Sequence, residues 1–228
     1  MRRIRPIYGA AAAIACGHPA ATAAGWESLA AGGSVADAAI AAAAVLAVAL
    51  PHACTLGGDA FMLYHDAKSG QTSGLNASGR SPIATDTVSL EPAALERGPR
   101  SCTTTGVIGG WKALHSRFGK LPWAQVLARS FAMAENGFPA SPGLAEATVA
   151  YRMMLEQDPG ASRLFLQDGP LVEGVLFRQP ALAATLRAIA MNGADGFYRG
   201  PAASTISRYV QSRGGWLCED DFSGYAPE

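Results

Sequence analysis

The chain has 228 residues, with 18 basic and 18 acidic side chains and a formal net charge of zero. At 49% hydrophobic and 16% charged residues it is globular rather than disordered, and long enough to bury a substantial core. It carries no basic stripe for nucleic acid or an anionic membrane, and its four cysteines (Cys16, Cys54, Cys102 and Cys218) are too scattered for a disulfide scaffold.

The start, Met1 to Arg5 followed by Ala10 to Ala15, imitates a signal peptide. Pro6 and Gly9 interrupt its apolar region, which favours a cytoplasmic address over an exported one. Ile7 to Cys16 reads as a short buried strand. Ala20 to Ala31 is a predicted helix closed by Gly32-Gly33. Ser34 and Asp37 have the spacing of a capping box at the head of a second helix, Ser34 to Leu50. Every residue from Ala38 to Leu50 is apolar, so this helix is expected to have no wet face. The run is shorter than the roughly 20 residues that a bilayer demands.

Pro51 ends the helix, and Gly57-Gly58 should let backbone N–H groups approach a ligand closely. Phe61 to Asp66 and Gln71 to Asn76 flank Ala67-Lys68-Ser69-Gly70 as a hairpin. Helices are predicted over Thr87 to Arg97, from about Gly109 to Phe118, from Trp123 to Asn136, and from Ser141-Pro142 to Glu156. Gly160 to Gly174 reads as turn-rich with a short strand. Gln179-Pro180 opens a helix to Met191, Pro201 to Arg213 forms another, and Glu219-Asp220-Asp221 is the acidic first turn of a last short helix.

Chemistry-bearing groups are few. Cys16, His18, His52 and Cys54 offer four nitrogen and sulfur ligands, but their one-residue spacing and apolar surroundings suit core residues better than zinc. Thr103-Thr104-Thr105 could supply a nucleophile, but threonines before a helix are more simply caps. No G-x-S-x-G elbow, P-loop or G-x-G-x-x-G is present. Arg80 is the best single candidate. It follows the Asn76-Ala77-Ser78-Gly79 turn, and its guanidinium could hold a carboxylate by two parallel hydrogen bonds, although a solvated surface arginine is an equal alternative. The residues thus suggest an anion pocket and identify no catalytic group.

Several ordered blocks carry a resemblance. They are Ile14-Ala15-Cys16-Gly17-His18-Pro19, Leu29 to Ala39, Leu56-Gly57-Gly58-Asp59-Ala60-Phe61-Met62, and Gly106 to Trp111. Ala134 to Pro139, Leu182 to Leu186, Phe197-Tyr198-Arg199-Gly200 and Glu219 to Phe222 complete the series. Along nearly its whole length the chain resembles the gamma-glutamyltransferase family, as the N-terminal part of its large subunit.

The resemblance implies an α+β fold, the αββα sandwich of N-terminal-nucleophile hydrolases. Residues 1–228 would be a single incomplete domain of it, helix-rich with a few strands. It implies a precursor that cuts itself into two subunits, a freed threonine nucleophile on the small subunit, and γ-glutamyl amides such as glutathione as substrates. Arg80 would be substrate-binding, on the α-carboxylate. No catalytic residue, metal or cofactor is assigned to this chain, and its partner is the missing small-subunit segment. Two features look like the acylase-like branch. Asp59-Ala60 stands where the family loop is often all glycine, and Arg80 lies nearer Pro82 than the family arginine does. With no threonine-led segment, a non-catalytic remnant of the same fold is the alternative reading. Either way, the hairpin and central helix should show uncovered apolar surface.

Overall fold

A computed structural model describes residues 8–86, 92–167 and 169–228. Helix α1 spans Pro19–Ala30 and α2 spans Val35–Ala49, joined at Gly32, whose φ of 87° suits a residue without Cβ. The capping box forms as its spacing predicts: Ser34 Oγ accepts the N–H of Asp37, and Asp37 Oδ2 accepts the N–H of Ser34. Strands β1 (Ala60–Asp66) and β2 (Gln71–Ala77) pair antiparallel from Ala60↔Ala77 to Asp66↔Gln71.

The remainder is mostly helix. In order come α3 (Pro92–Glu96), α4 (Val107–Phe118), α5 (Trp123–Asn136), a two-residue strand β3 (Phe138–Pro139), α6 (Pro142–Ala150), α7 (Arg152–Glu156) and α8 (Pro159–Phe165). Strand β4 (Leu176–Phe177), α9 (Pro180–Asn192), α10 (Asp195–Tyr198), α11 (Pro201–Ser212) and α12 (Glu219–Ser223) follow.

Several expectations are corrected. Residues 8–16 are not a strand: Ala12, Ile14 and Cys16 are half-buried with exposed residues between them, but among the described residues no neighbouring strand supplies hydrogen bonds. Residues 1–7, with the signal-like start, and 87–91 of the helix expected from Thr87 lie outside the described residues. The helix expected to reach Glu156 breaks at Tyr151. Residues 160–174, read as turns, begin inside α8, where Asp158 caps Ala161 and Pro159 takes the first helical position. The β3–β4 pair was not foreseen either. Two residues per strand carry no readable periodicity, and Phe138 meets Phe177 edge-on with ring centroids 5.8 Å apart.

Helix α2 is the hub, packed against α1, α4 and α5, while α5 in turn packs on α9. Ala44, Val45 and Val48 are wholly buried, and their small side chains let the neighbouring helices come close. Gln179 Nε2 donates to the Val48 carbonyl at 2.8 Å, tying the head of α9 to the end of α2. The expected absence of a wet face is half right. A stripe of Val35, Ala39, Ala43 and Leu46 is left open along α2 and lines a cavity of about 850 Å³ shared with Phe61 and Leu63 of β1.

Asp37 does more than cap. Its Oδ2 also accepts the N–H groups of Lys120 (2.9 Å) and Leu121 (3.2 Å), binding the head of α2 to the loop between α4 and α5. His115 Nε2 lies 3.7 Å from its other oxygen.

Phe61 and Leu63 are 72% and 84% exposed on one face of β1. The 228-residue chain alone is therefore expected to self-associate through this face. Replacing both residues by Glu should shift it toward a monomer in light scattering. A monodisperse monomer formed by the unaltered chain would contradict this. Among the described residues, no helix is long and apolar enough to cross a membrane.

Candidate functional site

The hairpin, the head of α4 and the end of the chain meet around residues 76–83. Gly58 connects the first two: its carbonyl accepts the N–H groups of Gly106 (3.1 Å) and Val107 (3.0 Å). The Gly57-Gly58 loop therefore offers its oxygen to the first turn of α4, while the Gly57 N–H donates to Thr55 Oγ1 (3.1 Å) and the Gly58 N–H to the Thr55 carbonyl (3.4 Å), which corrects the expectation that these N–H groups face a ligand. The threonines before α4 do not cap it. Tyr198 does, accepting the N–H of Gly109 (2.9 Å) and donating to the Thr105 carbonyl (2.8 Å). Burial first of all pushes the Tyr198 hydroxyl well above its ordinary pKa, so it stays protonated as a donor.

Arg80 sits at the exit of β2 on a turn held from several sides. Ser78 N–H donates to Asn76 Oδ1 at 3.0 Å. Gly79 N–H donates to Asp59 Oδ1 at 2.7 Å, and the Arg80 carbonyl accepts the N–H of Thr104 at 3.0 Å. Gly79 has to be glycine here, because a Cβ would lie 1.6 Å from the Thr104 carbonyl oxygen. Beyond Arg80, Ile83 N–H donates to Asp221 Oδ1 (2.7 Å), and Cys218 N–H donates to Asp221 Oδ2 (2.8 Å). Asp221, read from sequence as a helix-dipole partner, thus also fastens the arginine loop to the head of α12.

The arginine side chain is exposed and donates one Nη2–H to the Gly224 carbonyl. A guanidinium has five donors in a planar fork, so one contact leaves several for an anion. Tyr225 stacks on Tyr198 with centroids 5.4 Å apart. Its hydroxyl pKa is raised by burial and then by the charge of Asp59, with Arg80 acting in the opposite direction. Asn76 and Glu228 exchange both backbone hydrogen bonds (2.7 and 2.8 Å), so the end of the chain lies along the outer edge of β2.

The other candidates do not converge on Arg80. His18 accepts the Ala20 N–H as the cap of α1, and among the described residues no three His, Cys, Asp or Glu side chains are grouped to hold a metal. Thr104 and Thr105 are buried at 2% and 3% exposure. A hydroxyl–imidazole contact exists at Thr72 and His65 (3.0 Å), but it lies at the turn end of the hairpin. The arrangement can bind a carboxylate through Arg80, while among the described residues no hydroxyl or thiol is paired with a base beside it. Sequence reasoning missed the roles of Asp59, Asp221 and Tyr198. All three stood in the sequence blocks, Asp59 as an acid where the family loop is often glycine, Asp221 in the acidic turn of the last helix and Tyr198 beside Phe197, but nothing local named their distant partners.

Comparison with known proteins places the chain in a family. The family model for gamma-glutamyltranspeptidase matches residues 21–228. The chain is 33% identical over 228 residues to the glutathione hydrolase-like YwrD proenzyme of Bacillus subtilis, covering 98% of this chain and 43% of that protein. It is 37% identical over 195 residues to the oxamate amidohydrolase proenzyme of Klebsiella pneumoniae, covering 80% of this chain and 36% of that protein. The crystal structure of Helicobacter pylori gamma-glutamyltranspeptidase superposes with a TM-score of 0.94 at 28% identity, over 98% of this chain and 66% of that one. The chain thus spans about two-fifths of the length of these curated relatives. It is a member of the gamma-glutamyltranspeptidase family and has the helix-rich N-terminal-nucleophile hydrolase fold of its solved relatives.

Proposed function

We propose that residues 1–228 are the N-terminal part of the large subunit of a self-processed acylase, which hydrolyses γ-glutamyl amides or transfers their acyl group. The observation that carries this reading is Arg80: a guanidinium with donors to spare, on a turn clamped by Asp59, Thr104 and Asp221. The fork would take the substrate α-carboxylate by paired charge-assisted bonds. The scissile amide would then face a threonine supplied by another segment of the protein, activated by its own α-amino group. Oriented N–H donors would stabilise the tetrahedral oxyanion. The acyl-threonine would pass to water or to an amine. The relatives support the amide class, since one is a glutathione hydrolase-like proenzyme and another an oxamate amidohydrolase proenzyme.

The partner of this chain is then the threonine-led segment, and the open stripe of α2 and the exposed face of β1 are the surfaces it would cover. The test uses the protein purified from its source in native form. Intact mass should show a second polypeptide beginning with threonine, and the complex should release p-nitroaniline from γ-glutamyl-p-nitroanilide. A single unprocessed chain without turnover would overturn the proposal.

A further inference from the structure

We infer that Asp59 is a positioning residue for Arg80, a role that rests on Arg80 being the carboxylate-binding group. Asp59 stands one residue before β1, and Arg80 stands three residues after β2 ends at Ala77. Since Ala60 pairs with Ala77, Asp59 faces the start of the arginine turn across the mouth of the hairpin. The regular ladder stops there, and the turn has left strand geometry. The side chain of Asp59 continues the connection: Oδ1 accepts the Gly79 N–H at 2.7 Å, joining residues 20 apart in sequence.

This bond acts on the peptide immediately before Arg80. The other restraints on the turn come from different directions. Asn76 Oδ1 holds Ser78 from within the turn, and Thr104 N–H holds the Arg80 carbonyl from the α4 side. Gly79 is pressed against the Thr104 carbonyl, so the turn cannot relax toward α4. Asp59 is the tether on the hairpin side, and without it the peptide before Arg80 loses its side-chain restraint there, while Thr104 and Asp221 still hold the turn from the other sides. A carboxylate accepting a backbone N–H makes a short charge-assisted bond, stronger than a neutral one.

A guanidinium fork binds a carboxylate well only when both N–H groups are aligned, and small misplacements of such a clamp are costly. Asp59 therefore acts on substrate affinity through Arg80 and makes no substrate contact itself. In the full-length protein, Asp59→Ala should raise KM for γ-glutamyl-p-nitroanilide by about tenfold with kcat within about twofold. Asp59→Asn keeps an acceptor oxygen and should recover most of that affinity. The same Asp59→Ala change should add nothing in an Arg80→Ala background, because the clamp it aligns is gone.

If the alanine variant does not fold, Asp59→Ser, too short to reach Gly79, replaces it in the same cycle. A lowered melting temperature with unchanged KM would make Asp59 merely structural and overturn the inference. So would a KM effect that persists in full without Arg80. If Arg80→Ala raises KM and Asp59→Ala does not, the inference fails and the assignment of Arg80 survives. If Arg80→Ala is itself silent, both fall together.

Discussion

Asp37→Ala is expected to lower the free energy of unfolding by about 3–5 kcal/mol, a large share of the stability of a domain this size. The carboxylate is wholly buried, and one of its oxygens accepts the N–H groups of Ser34, Lys120 and Leu121. Truncation leaves these donors without a partner, at about 1–3 kcal/mol for each unsatisfied group. It also removes the only acid in the first turn of α2. Asp37→Asn keeps an acceptor oxygen and should cost less, about 1–2 kcal/mol. Urea unfolding at constant m-value measures both. A loss below about 1 kcal/mol for the alanine variant would show that solvent replaces the carboxylate, contrary to its burial.

The same site predicts a pH dependence. Burial pushes the Asp37 pKa up, but the N–H donors of Ser34, Lys120 and Leu121 outweigh it and hold the group below the ordinary 3.8. The folded state therefore binds the proton less readily than the unfolded state. Its contribution is fully present above pH 3.8 and fades as pH falls through the lower folded value. Asp37→Ala should flatten that part of the acid-unfolding curve.

Arg80→Ala carries the largest expected functional effect. In the processed, full-length protein it should raise KM for a γ-glutamyl anilide by roughly 10- to 100-fold, the cost of losing a charge-assisted carboxylate clamp. The proposed chemistry at a threonine on another segment is not touched directly, so kcat should move far less. Arg80→Lys should recover only part of the affinity, since an ammonium lacks the planar fork. A 4-aminobutyryl anilide lacks the α-carboxylate, and on that substrate the alanine variant and the parent should be alike. Because Arg80 also donates to Gly224, the melting temperature should be compared in parallel. An unchanged KM would remove Arg80 from the substrate site.

Much of this protein was legible without coordinates, and the reason is local. The capping box at Ser34 and Asp37, the left-handed stop at Gly32, the turn at Gly70 and the proline starts of α9 and α11 each depend on residues within a few positions of one another. Steric and hydrogen-bonding preferences at that range are decided before any tertiary contact forms. The ordered glycine and apolar blocks pointed to the family in the same way, and Arg80 stood out because its turn is written in adjacent residues.

What only the tertiary structure decided concerns bonds that span long stretches of chain. Asp37 reaches Lys120 and Leu121, Tyr198 caps α4 through Gly109, Asp221 holds Ile83, and Asp59 holds Gly79. Nothing in the neighbourhood of an aspartate or a tyrosine in sequence says which distant N–H its oxygen will meet. That is settled when packing excludes water and leaves each buried donor to find its partner within the protein. That α2 would carry uncovered surface was expected, but which side lies open was hidden for the same reason. An all-apolar helix reads as buried on every side, and only the placement of α1, α4 and α5 shows which side is left uncovered.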